Sequence, residues 1–292
     1  MLSSNIEKIF YLCNVMKKDI SVIISTFNSP EWLTKVLYGY NTQTYRNFEV
    51  VIADDGSDER TRLCLESIQK EVFFPIKHVW HEDNGFQKTI ILNKAIQESA
   101  TDYILMTDGD CIPREDFIEQ HIKHREEGYF LSGGYYKLPM NLSQQITREE
   151  IYAGKCFDLK WLKKNGIKIS FKNNKLVANG LKSWFLNYST PTTASWNGHN
   201  ASGWKKDLLA VNGFDERMQY GGEDREFGER MMNLGTKSKQ IRYSTVCIHL
   251  DHARGYVKPE MIEKNLQIRK ETRDQKRTWT EFGIVKKVAS IA

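Results

Sequence analysis

The sequence predicts an α/β protein with a mostly parallel, doubly wound sheet and helices on both faces. Three observations support this. Short, β-branched and almost uninterruptedly apolar runs recur in the first half of the chain, as strands buried on both faces require. Segments with helical spacing alternate with them at the interval of βαβ units. Two acidic turns, Asp54-Asp55 and Asp108-Gly109-Asp110, follow directly on such runs, where open α/β sheets bind their ligands.

Taken in order, residues 1–18 read as a short leader helix and residues 20–25 as the first strand. Pro30 opens a helix over 31–42, with Trp32, Val36, Leu37 and Tyr40 on one face. A second strand, 48–53, ends at Asp54-Asp55-Gly56-Ser57. A helix over 61–70, a strand over 76–80, a helix over 89–98 and a strand over 103–106 complete the alternation. After about residue 140 the rhythm changes. Residues 141–190 are polar, rich in Lys and Asn with interspersed aromatics, and give no regular pattern. Residues 191–250 carry many Gly, Trp and acidic side chains. Residues 259–292 are expected to be helical and basic, with nine basic against five acidic side chains between Lys258 and Lys287.

Composition narrows the function classes. With 292 residues, 40% hydrophobic and 27% charged, the chain can bury a large core and is not disordered. A formal charge of +5 is mild at this length; it permits an acidic ligand or an anionic membrane surface and is too small to argue for nucleic acid. Cys13, Cys64, Cys111, Cys156 and Cys247 are odd in number, scattered and without CxxC spacing, which fits reduced thiols in a cytosolic protein. No stretch reads as a signal peptide or a transmembrane span. There is no Gly-rich dinucleotide fingerprint and no Walker lysine pattern, which argues against NAD and ATP.

Five constellations carry chemistry. Thr107-Asp108-Gly109-Asp110-Cys111 offers two carboxylates around a glycine; they can hold Mg²⁺ or Mn²⁺ or form a plain turn, and Gly109 leaves room for an anionic ligand. At the earlier strand ends, Ser25 to Asn28 and Asp54 to Ser57 can bind a uracil or ribose or simply cap the next helix. Lys88, after Glu82-Asp83-Asn84-Gly85, can face a diphosphate at a helix start or stand as a solvated lysine. Tyr220-Gly221-Gly222-Glu223-Asp224 can bring a general base to a substrate hydroxyl, and it is also good first-turn composition. His249-Leu250-Asp251-His252 supplies a further metal ligand or a structural histidine, and histidine tilts the ion toward manganese. Trp196, Trp204 and Tyr220 are platforms for sugar rings or core residues.

The order of these motifs resembles the family 2 glycosyltransferases of the GT-A fold. The resemblance rests on Val22 to Asn28, Gln43-Thr44-Tyr45-Arg46-Asn47-Phe48-Glu49-Val50, Asp54-Asp55-Gly56-Ser57 and Asp108-Gly109-Asp110. The region from Asn212-Gly213-Phe214-Asp215-Glu216 to Asp224 is similar to β-1,4-galactosyltransferases and bacterial chondroitin-type polymerases, with Tyr220 where those galactosyltransferases usually carry tryptophan. The resemblance implies a GT-A domain over 19–256, with a nucleotide-sugar half (19–140) and an acceptor half (141–256), followed by a basic tail over 257–292. It implies that Ser25, Asn28, Asp54 and Asp55 hold the nucleotide with Lys88 nearby. Asp108 would contact the ribose or the metal, with Asp110 and His249 as metal ligands and His252 as the alternate. Asp224 would be the base and Glu223 would orient the acceptor.

The expected activity is inverting transfer of a galactose- or N-acetylhexosamine-type sugar from a UDP-sugar, with Mn²⁺ or Mg²⁺, to a saccharide or lipid-linked acceptor in bacterial surface polysaccharide assembly. The expected location is the cytoplasm, with possible contact of the basic tail at the inner membrane face and no nucleic-acid partner. A sugar-nucleotide nucleotidyltransferase would need a Gly-rich loop that Ser25 to Pro30 lacks. A non-catalytic carbohydrate- or nucleotide-binding module would not need Asp110 and Asp224 together.

Overall fold

The computed structural model describes residues 18–286 apart from 169, 254 and 256. The expected leader helix, residues 1–17 of it with Cys13, lies outside the described residues. Strands β1 (Ile20–Thr26), β2 (Phe48–Asp54), β3 (Ile76–Trp80) and β4 (Tyr103–Asp108) are parallel and lie in the order β3-β2-β1-β4. All seven residues of β1 are buried, because it lies inside the sheet with packed layers above and below.

The alternation of strand side chains sorts them into two cores. Ile20, Val22 and Ile24 pack with helix α1 (Pro30–Asn41) through Leu33, Val36, Leu37 and Tyr40, and with helix α2 (Glu59–Ile68). Pro30 at the first turn starts α1, and Asp58 caps α2 by accepting from the Arg60 N–H. On the other face, Ile23, Val51, Ala53 and Ile104 meet Ile91, Leu92, Ala95 and Ile96 of helix α3 (Lys88–Glu98), with Trp196, Phe214 and Phe227. Truncating one of these isoleucines to alanine removes about 2–5 kcal/mol.

Beyond β4 the sheet departs from the all-parallel pattern. β8 (Ala201–Trp204) runs antiparallel to both β4 and β6 (Tyr129–Ser132), and β9 (Lys237–Gln240) closes that edge parallel to β6. β8 arrives from the long connection after residue 140, so no crossover helix constrains its direction. A second sheet of three strands sets β10 (Val246–His249) between β5 (Cys111–Pro113) and β7 (Gly134–Lys137). This sheet carries the ends of the Asp110 and His249 motifs to one place.

Helix α4 (Phe117–His124) precedes β6. The stretch without a sequence pattern folds into short helices, α5 (Met140–Gln145), α6 (Arg148–Tyr152), α7 (Leu159–Lys164), α8 (Asn174–Val177) and α9 (Gly180–Tyr188). Later come α10 (Lys205–Ala210), α11 (Glu223–Asn233) and α12 (Pro259–Asp274). The helix expected over 259–292 stops at Asp274. The chain then folds back, and Asn212 pins it: its Nδ2 donates to Thr280 O and Val285 O, and its Oδ1 accepts from the Val285 N–H. A Cβ on Gly283 would stand 1.8 Å from Asn212 O, so only glycine passes there.

Candidate active site

The ends of β1 and β4 lie side by side, with Ser25 in register with Asp108, while β2 leaves on the other flank of β1. Reversal of strand order opens a crevice at such a point. A cleft of about 910 Å³ occupies it. Ser25, Asp55, Lys88, Asp108 and Asp110 line one side. His249, His252, Glu223 and Asp224 line the rest, and Lys258 and Met261, at the start of the tail, also reach the wall. The tail is therefore part of the site and not an appendage to it.

Asp108 is held by its own protein. Its Oδ1 accepts from Ser25 Oγ at 2.8 Å and from Lys88 Nζ at 2.6 Å. Burial alone would raise this carboxyl, but Lys88 overrides burial and keeps it below the usual carboxylate range. Burial would likewise lower Lys88, yet Asp108, Glu223 and Asp224 together hold it above its ordinary value. Gly109 lines the cleft, and a further constraint acts on it. Its N–H donates to Ser25 O at 2.7 Å, and a Cβ there would stand 2.9 Å from that same oxygen. The glycine lets β1 and the turn after β4 touch.

Asp110 faces two imidazoles. Its Oδ2 lies 3.0 Å from His252 Nε2 and 3.6 Å from His249 Nε2. The Nδ1 of His249 is 2.8 Å from Leu250 O, and that of His252 is 2.9 Å from Ala253 O. Carbonyl oxygens only accept, so each Nδ1 carries a proton, and Nε2 is the ring atom that faces the carboxylate. Lone pairs confront lone pairs unless a proton or a cation stands between them. One carboxylate and two imidazoles suit Mn²⁺ better than Mg²⁺, so the residues present fit the implied ion. Cys111 lies in the same group, but burial pushes its thiol well up, and Sγ donates to Asp110 Oδ1 at 3.2 Å. Asp108 stands apart from this group, with Oδ1 committed to Ser25 and Lys88.

On the same cleft, Gly221 and Gly222 adopt φ of 109° and 89°, a conformation that glycine takes without strain, and they turn the chain into α11. Glu223 Oε2 accepts from the Gly221 N–H at 2.9 Å. Asp224 accepts from the N–H groups of Gly198, at 3.1 Å, and Arg225, at 2.7 Å. Burial, reinforced by the neighbouring Asp224 carboxylate, pushes Glu223 up to about 7. Burial raises Asp224 too, against the pull of its N–H donors and Lys88. The two carboxyls titrate as a pair.

The remaining sequence candidates divide. Asp55 lines the cleft, with Oδ1 2.9 Å from His81 Nε2 and Oδ2 accepting from the Gln87 N–H at 3.0 Å. Burial raises its carboxyl, and His81 opposes that rise. Asp54 does not line the cleft; it is 1% exposed and bonds the Ser57 N–H and His78 Nε2. Asn28 does not line it either. At φ 46° it clamps two loops, its N–H donating to Ser57 Oγ and its Oδ1 accepting from the Asp58 N–H. Asp54 is the last residue of β2 and Asp55 the first of the turn, so the two carboxyls point to different partners. Of the three aromatic candidates, Tyr220 lines the cleft, edge-on to Phe86 at 6.1 Å. Trp196 is fully buried in the core, and Trp204 packs on Tyr103 with its Nε1 on Glu126 O.

Sequence reasoning missed His81 and gave no role to His199. His199 lines the cleft against Tyr135, 4.5 Å between ring centroids, and burial holds its imidazole down at about 4 despite Asp108. The signal available for His81 was its position at a strand end, one residue before the acidic cluster at 82–83.

A mostly parallel sheet with a crevice at the β1–β4 switch and helices on both faces is the GT-A architecture. The chain belongs to glycosyl transferase family 2, whose model matches residues 21–181; a second model, the N-terminal domain of galactosyltransferase, matches residues 179–253. It is 26% identical to an uncharacterized glycosyltransferase, YfnE, of Bacillus subtilis, over 84% of this chain and 68% of that one. It is also 26% identical to chondroitin synthase of Escherichia coli, over 76% of this chain. The chain spans only 33% of that synthase's length, and 24% of that of the Pasteurella multocida hyaluronan synthase. Among solved structures it resembles the mannosyltransferase PcManGT from Pyrobaculum calidifontis in complex with GDP-Man and Mn²⁺ (TM-score 0.55, 17% identity, 82% of this chain and 59% of that one). It also resembles residues 1–349 of S. aureus TarS in complex with UDP-GlcNAc (TM-score 0.55, 16% identity, 86% and 64%). At these identities the likeness is one of fold. The family and the GT-A architecture expected from the motifs are borne out.

Proposed function

We propose that this chain is a metal-assisted, inverting glycosyltransferase. It moves a hexose or N-acetylhexosamine from a UDP-sugar to a saccharide or glycolipid acceptor in bacterial surface polysaccharide assembly. The observation that carries this reading is that the imidazole-flanked Asp110 and the Glu223–Asp224 pair line one cleft of about 910 Å³. That size suits a nucleotide-sugar together with the end of an acceptor. The chondroitin synthase relatives and the TarS complex with UDP-GlcNAc support a UDP-linked amino sugar as the first donor to try.

Ser25 and Asp55 bind the nucleoside, and Lys88, buried among carboxylates, supplies positive charge for the diphosphate. Asp110, His249 and His252 would hold Mn²⁺, which there offsets the negative charge that gathers on a departing diphosphate. Asp224 takes the proton of the acceptor hydroxyl while that oxygen attacks the anomeric carbon from the face opposite UDP. A carbon–oxygen bond to the acceptor forms as the bond to the diphosphate oxygen breaks, so the configuration inverts. Glu223 and Tyr220 hold the acceptor in line. The test is UDP release across a panel of UDP-sugars, with and without Mn²⁺. Release with one donor, dependent on Mn²⁺ and on Asp224, is the expected result; donor binding without release under any condition would leave only a binding module.

A further inference from the structure

Helix α9 is built inside out. Leu181, Trp184, Phe185 and Tyr188 recur at the spacing of one helical face and are 87%, 63%, 60% and 81% exposed. The inward face is polar: Ser183 is buried, and Asn187 fixes the helix to the strand entrance by donating to Ser244 Oγ at 2.8 Å and accepting from the Tyr243 N–H at 2.9 Å. Trp184 and Tyr188 stack on each other with ring centroids 5.8 Å apart and planes 7° apart, which presents a flat aromatic surface to solvent. Phe171 and Val177, just upstream, are exposed as well. A contiguous apolar stripe on a secured helix marks an interaction surface.

We propose that α9 and the chain leading to it form a docking surface for a bilayer with anionic headgroups. Charge selects this occupant. Residues 155–190 hold eight lysines (Lys155, Lys160, Lys163, Lys164, Lys168, Lys172, Lys175 and Lys182) and one acidic residue, Asp158, whereas the whole chain is only +5. The rest of the protein is thus net negative, and the positive charge is concentrated in the stretch of sequence that leads into and through the stripe. Leucine and aromatic side chains flanked by lysines match the boundary between acyl chains and headgroups, where tryptophan and tyrosine rings settle and lysine stems reach outward. A second copy of the chain fits less well, because a symmetric contact through α9 would set one lysine-rich segment against another. This stretch of chain differs from the tail that the sequence suggested, where Trp279, Phe282 and Val285 are exposed as well. There, α12 packs on α11, Phe282 lies under Arg217 at 3.8 Å, and Ile284 joins the core.

Vesicle flotation of the full chain tests the proposal without any sugar donor, so its outcome is independent of the transferase reading. Vesicles of phosphatidylcholine with phosphatidylglycerol should bind the protein at least about tenfold more strongly than phosphatidylcholine alone, and salt should weaken that binding. L181S/W184S/F185S/Y188S should lower partitioning about tenfold or more, and K160Q/K163Q/K164Q/K168Q should flatten the salt dependence, with thermal melting unchanged in both because every altered side chain is exposed. No binding to the anionic vesicles, or equal binding by the wild type and the stripe variant, overturns the proposal. A monomer–dimer equilibrium abolished by the stripe variant, without lipid binding, overturns it in favour of self-association.

Discussion

Asp108 and the Glu223–Asp224 pair share one cleft and much the same burial, yet their proton affinities move in opposite directions. Burial raises all three. Asp108 receives a 2.6 Å hydrogen bond from Lys88 and stays ionised, whereas Glu223 and Asp224 accept from backbone N–H groups and lie next to each other. A direct charged hydrogen bond outweighs desolvation; backbone dipoles and a more distant cation do not. Carboxyls of one pocket are thereby driven in opposite directions.

The strongest test of this contrast is D224N. Turnover should fall about 10³-fold with the donor KM little changed, because removal of a positioned base costs that order of rate. Steady-state kinetics with a saturating acceptor would show it; an equal loss in E223Q and a mild one in D224N would exchange the two roles. K88M tests the Asp108 side of the comparison. It deprives Asp108 of its cation and the diphosphate of positive charge, so the donor KM should rise about 30-fold, as for the loss of one charge-assisted hydrogen bond.

The pH dependence sharpens the comparison further. With Glu223 raised from 4.5 to about 7, kcat/KM should climb with pH and level off above about 7, when the pair has lost its last proton. Stability should move the other way. A carboxyl with a raised pKa in the folded state stabilises the fold fully below about 4.5, and that contribution is lost as pH rises through about 7. Thermal melts of wild type and D224N across that window check the cause, since removing the neighbouring charge should shrink the slope. The smallest effect on catalysis belongs to Asp54. D54N should leave the donor KM unchanged and cost about 1–3 kcal/mol of stability through its bonds to Ser57 and His78. D55N, one residue on, should raise the donor KM.

The framework of this site was legible in the sequence. Apolar β-branched runs announced β1, β2 and β4, and the acidic turns fell at their carboxyl ends because strand length and burial are set by neighbouring residues. Much of the detail was not legible. The sequence named Asp54 and Asn28 beside Asp55 and Ser25, but Asp54 is taken up by Ser57 and His78, and a left-handed Asn28 by Ser57 and Asp58. The stretch over 141–190 gave no pattern because its helices are short and one of them, α9, presents its apolar face outward.

Residue order by itself determined the parallel core, the positions of the acidic turns and the family, since each depends on periodicities within a few neighbouring residues. Only the tertiary structure decided that β8 enters antiparallel and that Lys88 belongs to Asp108. It also decided that His252 joins His249 at Asp110 and that the start of α12 lines the cleft. These are meetings of side chains far apart along the chain. Which groups meet, and therefore which proton stays and which leaves, is fixed by packing through space, and no local pattern encodes it.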